Sequence, residues 1–439
     1  MEDKKLLKRV VYASLIGATV EWYDFFLYGT VAGIVFNKLY FPTGDPFIST
    51  MLAYTTFAVG FIARPLGGVI FGHFGDRIGR KSMLILTLMI MGIATFLIGL
   101  VPTYAQIGVW APLILLFLRV LQGLGLGGEW GGAVLMTYEY AKPEQRGLYA
   151  SFPQIGLSIG LCLAAGIVAL LSYSLTDEQF LSWGWRLAFI LSFVLVLVGL
   201  YIRLNIMETP EFAKLKSKGA EVKVPFAAMI TNYPKEVMAG MCARFIDGVF
   251  FNIFAVYSIA FLTSQLKIPR TEALLGVCIS ALVMCVFIPY FGGLSDRIGR
   301  TRTYFWGSLI TGFSALPAFW IWMHFSDQPI LVWAALVIPF GIFYASIYGP
   351  EAALFCDLFK PEVRYTGISF VYQFSGIFSS GLTPLVAAAL VQAYAPNGGW
   401  AVAGYCVFAG IVSAFGAKWI ESLARQRAAA NGGRAKAAA

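Results

Sequence analysis

A short polar phrase occurs twice in this chain, and its spacing limits the folds open to it. Phe71-Gly-His-Phe-Gly-Asp76-Arg77-Ile-Gly79-Arg80-Lys81 returns as Phe291-Gly-Gly-Leu-Ser-Asp296-Arg297-Ile-Gly299-Arg300-Thr301, 220 residues later in a chain of 439. A second pair of loops, Glu139-Tyr-Ala-Lys-Pro143-Glu-Gln-Arg146 and Asp357-Leu-Phe-Lys-Pro361-Glu-Val-Arg364, repeats at an offset of 218. Two loop motifs repeating at half the chain length mark an internal duplication. Around them lie runs of about 20 apolar residues, the length a helix needs to cross a hydrocarbon layer. Twelve such runs fall near residues 12–36, 51–72, 83–101, 112–138, 149–172, 186–203, 237–263, 272–293, 304–324, 330–356, 366–393 and 400–418. With 59% hydrophobic and 13% charged residues, too little polar surface remains to cover a soluble globule. Strand-length alternation is absent, and in lipid such a chain satisfies its backbone only as helices. The fold class expected is all-α and integral to the membrane, with twelve transmembrane helices in two pseudo-symmetric six-helix bundles.

The bundles are expected at residues 1–203 and 236–420, joined by a polar linker over 204–235 and followed by a disordered tail over 421–439. Of 32 lysines and arginines, 25 fall in alternate segments beginning with the N-terminus, while only Lys38, Arg186, Lys267 and Arg270 lie in segments on the other side. That asymmetry puts both termini in the cytoplasm. The net charge of +9 is thereby spread over loops and forms no patch for nucleic acid. Six cysteines sit in apolar runs without metal-ligand spacing, and no nucleophile, metal cluster or cofactor motif supports an enzyme. Gly123-Leu-Gly125-Leu-Gly127-Gly128 matches a nucleotide loop by letter count alone. It lies mid-span, where small residues let helices approach closely.

Gly72-x-x-x-Asp76-Arg77-x-Gly79-Arg80-Lys81 between spans 2 and 3, its weaker copy between spans 8 and 9, and Arg119-x-x-Gln122-Gly123 in span 4 resemble the signatures of the major facilitator superfamily of secondary transporters. Glu21-Trp22-Tyr23-Asp24-Phe25, Ala63-Arg64-Pro65-Leu66-Gly67, Gly125-Leu-Gly-Gly-Glu129-Trp130-Gly-Gly and Ser151-Phe-Pro153-Gln154 resemble its metabolite:proton symporter branch. Members of that branch move small organic acids such as shikimate, α-ketoglutarate and citrate, or zwitterionic osmolytes such as proline and betaine, with protons. The glycine-proline motif of drug/proton antiporters is missing from span 5, where Gly156-Leu-Ser-Ile-Gly160 stands. The resemblance covers essentially the whole chain. It implies a cofactor-free symporter of the bacterial inner (plasma) membrane, importing a small organic anion with protons by alternating access through one site between the halves, and nothing in the sequence requires more than a monomer. A zwitterionic substrate and an uncoupled facilitator or sensor are the alternatives.

Ionisable groups inside spans are costly in lipid, so each calls for a partner or a function. Glu21 and Asp24, three residues apart on span 1, share a face, and Arg119 on span 4 falls near the same depth. In one reading Asp24, paired with Arg119, takes up and releases the coupled proton with Glu21 assisting; in the other the pair is a fixed tie between spans 1 and 4. Glu129 lies about 280° around span 4 from Arg119, either a second protonatable site or a structural partner for Arg64. Arg64, Arg119 and Arg244 are the cations of the apolar spans. Arg119 and Arg244 are candidates for a substrate carboxylate, with Tyr28, Asp247, Asn252, Tyr257 and Gln373 completing the binding set. Arg244 and Asp247, three apart, can neutralise each other, and Arg64 reads as the partner of an inner carboxylate such as Glu129 or Glu351. Two charged latches are expected on the inner face: Asp76, Arg77 and Arg80 with Glu139 and Arg146, and Asp296, Arg297 and Arg300 with Asp357 and Arg364. The first copy, with Lys81 where the second has Thr301, is expected to be the stronger.

Overall fold

The computed structural model describes residues 2–78, 80–127, 130–204, 226–359 and 364–437. Among them twelve long helices follow the twelve apolar runs: α1 (residues 2–39), α2 (Pro46–Ile78), α3 (Arg80–Ile98), α4 (Trp110–Gly127, then Trp130–Tyr140), α5 (Arg146–Ser174), α6 (Trp185–Leu204), α7 (Pro234–Gln265), α8 (Arg270–Ile298), α9 (Arg300–His324), α10 (Pro329–Leu358), α11 (residues 364–393) and α12 (Gly398–Ala437). Proline opens α2, α7 and α10, at a position whose missing N–H leaves no bond unmade. The turn between α8 and α9 is made by Gly299 at φ +99°, a conformation side chains disfavour. This gives the glycine of the repeated phrase its role.

Within the first half α2 packs on α4, and α3 on α4 and α6; within the second, α12 packs on α7 and α9, and α8 on α10. The halves meet where α5 lies against α8 and α10 and where α2 lies against α11. Large apolar side chains such as Ile62, Phe117, Leu197, Val286, Trp306 and Phe415 point outward, as a lipid-facing surface requires. Buried polar and charged groups gather inside instead.

The glycine run of span 4 does bring two backbones together. A Cβ on Gly127 would overlap the Arg64 carbonyl, one on Gly67 the Leu124 carbonyl, and one on Gly123 the Gly60 carbonyl. Gly127→Val is therefore expected to lower Tm of the detergent-purified protein sharply, since overpacking costs about 1–3 kcal/mol even where side chains can give way, and here the neighbour is backbone.

Residues 205–225 of the linker lie outside the described residues, and Phe226–Asn232 is a short helix ahead of α7. In the tail, α12 continues to Ala437. Its alanines favour helix, Arg425 pairs with Glu421 at 2.6 Å, and Arg427 ties the helix to Glu236 (2.5 Å) and to the Leu358 carbonyl (2.8 Å).

Candidate functional site

Wide π-type turns interrupt α1 at Ala32–Phe36, α7 at Ile253–Tyr257 and Phe261–Gln265, α10 at Val337–Phe343 and α11 at Ile377–Gly381. Such turns concentrate at functional sites, and these four helices surround the polar interior.

From α1, Glu21 and Asp24 both enter that interior, and Asp24 is fully buried. Its Oδ1 accepts a 2.6 Å hydrogen bond from the Ser192 hydroxyl on α6, and its Oδ2 has no partner. Arg119, also fully buried, is not paired with Asp24, which corrects the expected ion pair. Its Nη1 donates to Gln122 Oε1 (3.0 Å) and to the Phe25 carbonyl (3.3 Å), and its Nε and Nη2 to the Phe57 carbonyl (both 3.4 Å). The guanidinium also faces the rings of Phe25, Tyr28 and Phe57 at 4.0, 4.5 and 4.9 Å. Gln122, one turn on from Arg119, occupies the place expected for the carboxylate; its Nε2 donates to Thr95 (2.8 Å) and to the Asp24 carbonyl (3.3 Å). Tyr28 donates to Thr56 at 2.6 Å.

Arg64 bridges the halves, and among the described residues it pairs with no carboxylate. Its Nε donates to Gln373 Oε1 on α11 at 2.7 Å, and Gln373 Nε2 donates to the Gly127 carbonyl at 3.0 Å. Glu351 is fully buried with neither carboxyl oxygen bonded, so it is not the partner of Arg64; Glu129 lies outside the described residues. The Arg64 guanidinium stands 5.4 Å from the Phe25 ring and 5.8 Å from the Tyr372 ring, and Arg244 lies 3.8 Å over Tyr372. Arg119, Phe25, Arg64, Tyr372 and Arg244 thus alternate as charge and ring across the seam. Trp130 stacks on Tyr372 at 3.7 Å between centroids. Arg244 forms an ion pair with Asp247 at 3.2 Å and donates to Ser379 at 3.1 Å, while Tyr344 donates to Asp247 at 2.5 Å. Three donors at this seam, Arg64 Nη2, Arg244 Nε and Trp130 Nε1, are buried without partners. Asn252 Nδ2 donates to the Gly248 carbonyl (2.8 Å) and its Oδ1 is unbonded. Tyr257 stands apart, on the wall of a cleft between α1, α2, α7 and α11. Ser192 and Ser379 were not singled out by sequence reasoning, and Gln122 and Phe25 entered it only as members of the motifs quoted above.

On the face that bears both termini the halves are sealed. Asp296 accepts from the backbone N–H groups of Gly147 (2.8 Å) and Leu148 (3.0 Å), so a carboxylate of the second half caps α5 of the first. Arg300 pairs with Asp296 (3.2 Å) and with Asp357, and Asp357 accepts from Tyr138 of α4 at 2.5 Å. Arg146 and Arg364 lie over the Tyr138 ring at 4.6 and 5.3 Å. Arg297 is exposed and outside this network, a correction to its place in the latch. The side chains of Asp76, Arg77, Arg80 and Glu139 lie outside those described. On the opposite face a cleft of about 810 Å³ opens between α1, α2, α7 and α11, lined by Asn37, Ser49, Tyr257, Ser264, Lys267 and Gln392 among others. Among the described residues no three His, Cys, Asp or Glu side chains gather to hold a metal.

Two six-helix halves with lipid-facing exteriors, sealed on one face, cleft on the other and charged along their seam, define a membrane transport protein. The family described as "Sugar (and other) transporter" matches residues 10–229, and "Major Facilitator Superfamily" matches residues 237–438. The chain is 44% identical over 390 residues to an inner membrane metabolite transport protein of Escherichia coli (strain K12), covering 88% of each. It is 41% identical over 398 residues to the shikimate transporter of the same strain, covering 89% of each. It is 35% identical over 402 residues to the proline/betaine transporter of Salmonella typhimurium, covering 89% of this chain and 79% of that protein. A solved major facilitator proton:xylose symporter shares the fold at TM-score 0.75 and 15% identity over 96% of both chains. The chain belongs to the major facilitator superfamily and is an integral membrane transporter.

Proposed function

We propose that this transporter is a proton-coupled symporter importing a small organic acid across the bacterial inner membrane by alternating access, with the terminus-bearing face in the cytoplasm. The observation that carries this reading is the seam of three buried arginines with partnerless donors at Arg64 Nη2 and Arg244 Nε. A substrate carboxylate at the seam would satisfy both, and a planar guanidinium fork suits a carboxylate. The Phe25 and Tyr372 rings offer apolar faces to the rest of the molecule. Shikimate, proline and betaine, named for the relatives, each carry a carboxylate, which accords with this chemistry. A zwitterion also needs a counter-charge for its cation, and Asp247 is already held by Arg244 and Tyr344; this favours the simple acid. Arg119, Tyr28, Asp247, Asn252, Tyr257 and Gln373 remain the further assignments along the substrate path.

The coupled proton is assigned to Asp24, with Glu21 beside it and Glu129 as a second candidate. With Arg119 held by neutral acceptors and one Asp24 oxygen unbonded, the arrangement suits a neutral carboxyl. Loss of the proton would leave a buried anion that draws Arg119 from Gln122.

In vesicles with an imposed pH gradient, alkaline inside, the purified protein is expected to accumulate one of shikimate, 2-oxoglutarate, citrate or benzoate. The same compound should raise Tm by mass action. Equilibration without accumulation would make the protein a facilitator. Arg64→Lys, which keeps the charge and removes the fork, is expected to weaken binding of that acid by about tenfold or more, since hydrogen bonds to charged groups contribute about 1.5–3 kcal/mol.

A further inference from the structure

Glu351 has no role in the site as described. It lies on α10 with neither oxygen hydrogen-bonded and no exposure. Its charged neighbours are Asp247 and Arg244 on α7. The phenols of Tyr304 on α9, Tyr344 and Tyr348 on α10 and Tyr372 on α11 complete its surroundings. The other helices against α10 add little charge at this depth. α5, α8, α9 and α11 carry charged residues only towards their ends, at Arg146, Arg270, Glu272, Asp296, Arg297, Arg300, Arg302 and Arg364, and Glu129 of α4 lies outside the described residues. Among the described residues the cluster therefore holds two carboxylates and the Arg244 guanidinium, with Arg64 at its edge across the Tyr372 ring. Arg244 is engaged with Asp247 at 3.2 Å, and Tyr344 bonds the same carboxylate. An ionised Glu351 without a donor in a membrane interior would be strongly disfavoured.

We propose that Glu351 is a second proton site of this transporter, emptied towards the terminus-bearing face, and that Arg244 responds to its charge. This rests on the symport reading above. While Glu351 holds its proton, Arg244 stays on Asp247 and Ser379, as the structure shows. Glu351 is six residues from Asp357, about 9 Å along α10, and Asp357 belongs to the seal. Opening the seal admits water to this end of α10. The proton then passes from the Glu351 carboxyl to that water, and no other covalent bond forms or breaks. The new carboxylate competes with Asp247 for Arg244, drawing it from Ser379 and the Tyr372 ring. The same motion disturbs the ring and donors assigned to the substrate carboxylate, so proton and acid leave on one side together.

The test uses the full-length protein in vesicles loaded with the pH dye pyranine. Shikimate, 2-oxoglutarate, citrate, benzoate, proline and betaine are added in turn, and wild-type protein identifies which of them carry protons inward. With those compounds Glu351→Gln is expected to lose proton movement about tenfold or more, while exchange of the labelled compound at equal pH falls less than about threefold. Undiminished proton movement in this variant overturns the Glu351 assignment and leaves the symport reading standing. Absence of proton movement in the wild type with all six overturns both. If the variant loses exchange as well, Glu351→Asp decides. Proton movement restored by the shorter carboxylate supports the assignment, and failure to restore it makes Glu351 structural and overturns the proposal.

Discussion

Asparagine in place of Asp24 is expected to reduce pH-gradient-driven accumulation to the level of protein-free vesicles, while exchange of preloaded substrate at equal pH persists within about threefold. The amide keeps the size of the carboxyl and can keep the Ser192 bond at Oδ1. It cannot release a proton. A transporter so changed is held in the form that leaves Arg119 on Gln122 and the Phe25 and Phe57 carbonyls, and it never reaches the charged form that would draw Arg119 away. Loaded substrate can still cross in either direction, because that step needs the neutral form alone. The rival reading, a fixed tie between α1 and α4, makes a different prediction. Breaking such a tie would lower Tm and abolish exchange along with accumulation. The geometry favours the first outcome, since Arg119 and Asp24 are not joined here and the amide removes no ion pair from the described state. Uptake with and without a pH gradient, exchange, and Tm of Asp24→Asn together separate the two.

The twelve helices and the two halves were legible because they are one-dimensional signals: apolar length, and a motif returning after half the chain. Arg244 and Asp247 were legible as partners for the same reason, lying three residues apart on one helix. What stayed hidden were meetings between distant segments. Arg64 and Gln373 are separated by 309 residues and join halves that no periodicity relates side chain by side chain. Arg119 shows a subtler limit. Opposite charges at one depth suggested an ion pair with Asp24, yet ring faces, carbonyls and a neighbouring glutamine satisfy the guanidinium, and a sequence cannot rank those acceptors. Composition was equally silent on the pair that Arg427 makes with Glu236 at the start of α7, 191 residues away in the chain.

Asp296→Asn is expected to shift the resting population towards the state open on the terminus-bearing face by about tenfold or more, because each charge-assisted bond lost contributes about 1.5–3 kcal/mol and 1.4 kcal/mol is tenfold. Asp296 carries the seal through two interactions that an amide weakens together. Its carboxylate accepts from Gly147 and Leu148 at the positive end of α5, and it shares Arg300 with Asp357. Its side chain is only 6% exposed and that of Arg300 17%, so salt screens the network less than a surface pair. Asparagine loses the charge and turns an N–H group towards donors already in place. Arg297→Gln is the matched control, since Arg297 is exposed and outside the network. The readout is maleimide labelling of single cysteines introduced at Ser264 and Gln392 in the cleft, which should slow in Asp296→Asn and not in Arg297→Gln. Part of the seal does not depend on charge. Gly147 and Gly292 bring α5 and α8 so close that a Cβ on Gly147 would stand 2.6 Å from the Gly292 carbonyl oxygen. Unchanged labelling in Asp296→Asn would assign closure to that backbone contact and leave the repeated phrase as the turn that Gly299 makes.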